Sequence, residues 1–335
     1  MTTAPLGPTR LLSRSAIERW LTMDDAIRGV ETVYRAHGDG TVAMPAKITL
    51  DLRPFGLEAW HNAMPGYVQP LGAAGIKWAG GYSQNPARHG LPYVMAMIIL
   101  DDPETGYPLA VLDGAFITNI RTGASAAVFA RVLSRPGADH VALIGAGVQA
   151  RFATDALVRT HAIRRISVYD ISPDAAARYA RYVRDRHDIE VIVADSPEAA
   201  VSAADIVITV TFADAALVEG RWLRPGVTAL SMGSYQEFDD AAVLSADKIV
   251  VDSWDQCAHR GELKRFADAG RLQRSDMHAE IGEIMIGAKP GRERDDERIF
   301  SIPIGLGTND VALARLVYDR VVASGEDVPT FDFLG

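Results

Sequence analysis

The chain has 335 residues, enough for about two domains and a large core without covalent staples. Lys and Arg number 34 against 43 Asp and Glu, a formal net charge of −9, which argues against a nucleic-acid surface because such surfaces are basic and clustered. A hydrophobic fraction of 48% and one cysteine, Cys257, exclude predominant disorder, an intrachain disulfide and a thiolate metal site.

Arg10, Arg14, Glu18, Arg19, Asp24 and Asp25 interrupt any apolar leader, and the longest apolar run, Val94–Leu100, is too short to span a bilayer. The expectation is a cytoplasmic protein with no membrane or nucleic-acid partner. Residues 11–37 read as helical. Thr22 is a candidate N-cap, with Asp25 three positions on where a capping acid belongs. Gly38-Asp39-Gly40 ends that pattern. From about 41 to 120, β-rich runs (Val42–Leu50, Ala73–Ala79, Tyr93–Leu100, Tyr107–Leu112) are separated by Pro, Gly and Asn turns, which predicts a mostly antiparallel sheet. Near 121 the texture changes. A small-residue helix, Arg121–Leu133, precedes the apolar run Val141–Ile144. Strand-like runs at Ile166–Asp170, Val191–Val193, Ile206–Val210, Val227–Ser231 and Lys248–Val251 then alternate with helical patterns such as Pro173–Arg186. That order predicts an α/β doubly wound parallel sheet. A helix over Asn309–Ala323 closes the chain.

The sharpest local signal is Gly145-Ala146-Gly147-Val148-Gln149-Ala150. It follows the apolar run and opens a helical segment, the context in which a G-x-G-x-x-[GA] pattern marks a dinucleotide site. Gly145 permits the tight turn, Gly147 lets the backbone approach a pyrophosphate, and Ala150 keeps helix and strand close. The helix N-terminus offers N–H groups and partial positive charge to the phosphates. Asp170 ends the next strand, 23 residues past Gly147, where an acid accepts the ribose hydroxyls and repels a 2′-phosphate. NAD is therefore expected over NADP. The bland alternative makes Asp170 the N-cap of the helix begun by Pro173.

Three cations stand out in the β-rich half. Lys77 lies within the apolar strand Gly75–Ala79, Arg121 at an apparent strand-to-helix junction, Asn119–Gly123, and Lys47 within Met44–Ile48. A cation inside a strand is unusual unless paired or functional, although an edge-strand side chain reaching solvent is the alternative for each. Tyr67, Trp78 and Tyr82 are candidate pocket or core aromatics. No H-E-x-x-H or i,i+4 histidine pair is present, so no metal is expected. The mixed-charge run Arg292–Arg298 reads as an exposed loop.

At these residues the sequence resembles the ornithine cyclodeaminase/mu-crystallin family. The resemblance is carried by Met64-Pro65-Gly66-Tyr67, Gly75-Ile76-Lys77, Ile117–Ala124, Ile144–Ala150, Ile208–Thr211, Glu237–Asp240, Ala279–Glu283 and Gly305–Asp310, in order along nearly the whole chain. It implies a homodimer. It also implies an NAD(P)-binding Rossmann domain, residues 124–305, inserted in a smaller α+β substrate and dimerisation domain, residues 1–123 plus 306–335. By position it assigns Lys77 and Arg121 to the substrate carboxylate, Lys47 to a third cation, and Ile304 and Asp310 to the pocket wall. Arg121, Thr122, Gly145, Gly147, Val148, Gln149, Asp170, Ile171, Thr211, Ser231, Met232 and Gly233 fall at cofactor positions.

One departure bears on activity. Where cyclodeaminases carry an aspartate after the loop glycine, this chain has Tyr235, and Asn62 stands at another family acid. The expected function is thus an NAD-dependent amino-acid dehydrogenase or imine reductase acting on a small α-amino or α-imino acid, with Lys77, Arg121 and Asp310 as the catalytic set. An ornithine cyclodeaminase-type ammonia-lyase with bound NAD and a crystallin-like ligand-binding protein are the alternatives.

Overall fold

The computed structural model describes residues 7–213 and 215–334. It divides into two compact units, one formed by Met1–Arg121 with Leu306–Gly335 and the other by Thr122–Gly305.

In the first unit, β1 (Thr9–Leu12) precedes α1 (Arg14–Trp20) and α2 (Met23–Gly38). The single helix expected over 11–37 is therefore a strand end and two helices. Two caps cause the break. The Ser13 side chain accepts from Ala16 N, and Thr22 with Asp25 closes a reciprocal capping box. Next come β2 (Val42–Ala43), β3 (Ile48–Asp51), β4 (Ala59–Val68), β5 (Ala73–Tyr82), α3 (Asn85–Arg88), β6 (Val94–Asp101) and β7 (Pro108–Asp113). Lys47 lies in the link between β2 and β3, not in a strand. Helix α4 (Gly114–Leu133) follows β7 at once. Arg121 consequently sits inside a helix rather than at a junction: the Asp113 carboxylate accepts from Phe116 N and starts the helix seven residues before Arg121.

The second unit runs β8 (His140–Ile144), α5 (Val148–Thr160), β9 (Arg165–Tyr169), α6 (Pro173–Arg184), β10 (Glu190–Val193), α7 (Pro197–Val201), β11 (Ile206–Thr209), β12 (Thr228–Ser231), α8 (Asp240–Leu244), β13 (Lys248–Val251), α9 (Trp254–Cys257), α10 (Lys264–Asp268), β14 (Ala279–Glu280), α11 (Ile281–Met285) and β15 (Ile299–Ile302). Its strands pair in parallel in the order β10-β9-β8-β11-β12-β15-β13-β14. Strands β8, β11, β12, β13 and β15 are buried throughout, as a sheet covered on both faces requires. The strand order reverses between β8 and β11, which opens a crevice at their carboxyl ends. The run Arg292–Arg298 is a loop with Glu293 to Asp296 exposed, as its charges suggest, but it has one buried anchor. Glu297 is buried, accepts from the amides of Glu293 and Arg294, and pairs with Lys248 at 3.1 Å.

Helix α12 (Gly307–Ser324) and β16 (Thr330–Phe331) complete the first unit, whose sheet is ordered β16-β1-β7-β6-β5-β4-β2, with β3 also on β4. Its pairings are antiparallel except β1 with β7. Helix α12 packs across β4, β5 and β6 and against α2. Alternation puts Asn62, Met64, Lys77 and Ile98 on the buried side of the sheet. The opposite side is apolar and open. Ile48, Ala63, Trp78 and Met97 stand in one cross-strand row, and Ile48, Trp78 and Met97 are exposed.

Candidate functional site

In the first unit, Lys77 projects from the middle of β5, paired across the ladder with Met64 and Ile98. Arg121 comes from α4, and Asp310 from the first turn of α12. The structure brings the three together. Lys77 Nζ lies 2.6 Å from Asp310 Oδ2, and Arg121 Nε donates to Asp310 Oδ1 at 3.2 Å. Their exposures are 1%, 7% and 0%. Two buried cations thus face one carboxylate, and such a cluster favours a second anion. His37, which hydrogen-bonds the Thr308 hydroxyl at 2.9 Å, is neutral at physiological pH because burial lowers its pKa to about 4. The side-chain amide of Asn309 is fully buried, and its nitrogen and oxygen find no hydrogen-bond partner among the described residues. Helix α12 approaches the sheet closely: a Cβ at Gly307 would lie 2.7 Å from Met64 O. Lys47 is half-buried in its link, and Asn62 is buried with its side-chain oxygen accepting from Thr49 Oγ1.

In the second unit, Gly145 turns the chain out of β8 at φ +102°, where a Cβ would lie 2.9 Å from Val210 O. Gly147 is the N-cap of α5 and offers no side chain to its amides, and nothing lies within 4 Å of where its Cβ would be. The N-terminus of α5 therefore has room beside Gly147 and no capping side chain, with Val148 exposed and Gln149 half-buried. Asp170 does not cap α6; Ser172 does. Asp170 instead accepts from Ala146 N and Ser172 N, each at 2.8 Å, which fixes its carboxylate beside the glycine turn. Ile171, next to it, is 92% exposed.

Across the crevice, Thr211 follows β11, while Ser231, Met232 and Gly233 lead out of β12. Ser231 Oγ is buried without a hydrogen-bond partner among the described residues. Phe212 and Tyr235 meet edge to face at 5.8 Å. Beneath them lies Glu237, fully buried. Its Oε1 accepts from Thr211 N at 2.7 Å and Thr211 Oγ1 at 2.6 Å, and its Oε2 accepts from Thr209 Oγ1 at 2.8 Å. Glu262, also buried, accepts from the backbone amides of Glu237 and Phe238. Sequence reasoning noted Glu237 only within a motif and did not single out Glu262. Burial pushes both carboxyls above the ordinary range, Glu262 to about 7. Thr122 lies buried in α4, and Ile304 is buried after β15. No cluster of three His, Cys, Asp or Glu suited to a metal occurs among the described residues.

The ornithine cyclodeaminase/mu-crystallin family matches residues 8–325. An alanine dehydrogenase of Archaeoglobus fulgidus is 36% identical over 319 residues, covering 94% of this chain and 96% of the relative. The structure of Thermococcus litoralis Δ1-pyrroline-2-carboxylate reductase in complex with NADH and L-proline superposes with a TM-score of 0.91 at 32% identity, covering 96% of this chain and all of that one. An archaeal alanine dehydrogenase dimer with bound NAD gives 0.90 at 34% identity, covering 98% of this chain and all of that one.

Proposed function

This chain belongs to the ornithine cyclodeaminase/mu-crystallin family, and from that premise we propose that it is an NAD-dependent amino-acid dehydrogenase or imine reductase. It moves hydride between nicotinamide and the Cα of a small α-amino or α-imino acid. The buried Lys77–Asp310–Arg121 cluster carries the reading, because it is a ready receptor for a carboxylate. A relative named alanine dehydrogenase, an alanine dehydrogenase structure with bound NAD and a pyrroline-carboxylate reductase structure with NADH and L-proline support the same substrate class and cofactor.

The second unit fits a dinucleotide. The N-terminus of α5, which has no capping side chain, suits a pyrophosphate, Asp170 suits an adenosine ribose, and Ser231 Oγ, without a hydrogen-bond partner among the described residues, suits a polar group at the far side of the crevice. When bound, the cofactor supplies or takes up the hydride. Arg121, with Lys47, clamps the substrate carboxylate; the guanidinium can do so with two parallel bonds. Lys77 orients the substrate nitrogen and holds a proton at Nζ, which Asp310 keeps within 2.6 Å. Burial of the cluster keeps water from competing for these charges.

A homodimer belongs to the same reading. The open sheet face with Ile48, Leu50, Trp78, Met95 and Met97 is the kind of contiguous apolar surface that an assembly covers. A cytoplasmic location is part of it too; no described helix is long and apolar enough to cross a membrane.

The test is to incubate the protein with a panel of amino acids and NAD while following NADH and ammonia. Net NADH is the expected outcome. Ammonia without NADH would mark a cyclodeaminase, and neither product, with ligand-dependent melting shifts, a binding protein.

A further inference from the structure

Glu237 makes no hydrogen bond to Asp170 or to the Gly145–Gly147 turn, although Thr211 lies against Gly145, and it ties together the two chain segments that leave β11 and β12. Its Oε1 holds the backbone and hydroxyl of Thr211, and its Oε2 holds Thr209. A Cβ at Gly233 would lie 3.4 Å from that same Oε2, so the Gly233 turn rests directly on the carboxyl. The anchor is itself anchored. Glu237 O accepts from Leu217 N and Val218 N, and its N–H donates to Glu262. The turn is gripped from its other side by Arg260 Nε, which donates to Ser234 Oγ at 2.7 Å. A fully buried acid with three donors is costly to keep and is poorly explained as packing.

The crevice has a direction. Asp170, on the β9 side, marks the adenosine end, and α5 marks the phosphates. The nicotinamide end then falls across the switch point, by β11 and β12. We infer that Glu237 is the positioning residue for the nicotinamide half of the cofactor, acting through Thr211 and the Gly233 turn. This rests on the dinucleotide reading given above.

The experiment measures binding of NADH and of ADP-ribose, which lacks the nicotinamide, to wild type, Glu237→Ala and Glu237→Gln. Glutamine keeps all three contacts: its oxygen accepts from Thr211 and its amide donates to Thr209 Oγ1. The alanine variant is expected to weaken NADH about tenfold and to leave ADP-ribose within twofold, with glutamine restoring NADH. Equal loss of both ligands in Glu237→Ala, or no loss of NADH, overturns the assignment. Should the alanine variant not fold, Thr209→Val removes one of the three bonds; a selective loss for NADH supports the assignment and an unchanged affinity overturns it. Wild type that binds neither ligand defeats the dinucleotide reading itself, a result separate from both.

Discussion

Asp310 Oδ2 stands 2.6 Å from Lys77 Nζ, and neither side chain reaches solvent. The carboxylate belongs to the first turn of α12 and the ammonium to the centre of β5, so the contact fastens helix to sheet. Replacing Asp310 with Ala leaves Lys77 and Arg121 facing each other without their anion. A loss of about 3–5 kcal/mol is expected in denaturant unfolding. Lys77→Ala is expected to lower kcat by about 100-fold or more while NADH affinity, read by fluorescence titration, stays unchanged. Unaltered turnover would remove Lys77 from the mechanism.

Asp170 sets cofactor choice in this scheme. Wild type should prefer NADH to NADPH. In Asp170→Ser, which keeps a short acceptor near Ala146 N, the ratio of the two kcat/KM values should fall at least about tenfold. A ratio that does not move would take the ribose role from Asp170.

The open apolar sheet face gives a prediction about assembly. Trp78 and Met97 are cross-strand neighbours on that face, both exposed. Met97→Glu puts a charge in the middle of it. Light scattering should show a dimer for wild type and a shift toward monomer for this variant, with the far-ultraviolet spectrum unchanged. A wild-type monomer would rule out the proposed dimer.

Two buried acids titrate in opposite senses. The Arg320 guanidinium beside Asp25 holds its carboxyl well below the usual carboxylate range, with Thr22 adding to the effect. The stability this contributes is present above the unfolded value and is lost as pH falls below about 4. The melting gap between wild type and Asp25→Asn should therefore be wide at pH 7 and close in acid. Glu262 behaves conversely: burial raises its carboxyl to about 7, so the folded state binds a proton that the unfolded state has released. Stability then falls as pH rises from the unfolded value through 7. Glu262→Gln keeps the acceptor for the Glu237 and Phe238 amides. It should match wild type near pH 5 and exceed it by about 2 kcal/mol near pH 8.

Local chemistry was legible where it was local. Thr22 with Asp25, and the glycine turn after β8, announce themselves within six residues because capping and tight turns are short-range events. The neighbours of Arg121, Ile117 to Thr122, are β-branched and small and look like a strand end in the sequence; the signal that decides for a helix is the Asp113 cap upstream. The carboxylate that joins Lys77 to Arg121 lies 189 residues beyond Arg121, and only the family pattern pointed to it. Glu262 had no such pattern. It reaches Glu237 across 25 residues, and no periodicity predicts which acid a fold will bury beneath a turn.

The sheet of the first unit closes on a strand, β16, and a helix, α12, that are made after the whole second unit. During synthesis Lys77 and Arg121 leave the ribosome long before their counter-anion, and the face of β4 and β5 that α12 will cover stays open in the meantime. The first unit therefore has all of its parts only after the second has been made. The inserted parallel-sheet unit is complete on the nascent chain before Asp310, which joins Lys77 to Arg121, has been made. A ribosome stalled before codon 307 would carry the whole parallel-sheet unit and a Lys77 and Arg121 still waiting for Asp310.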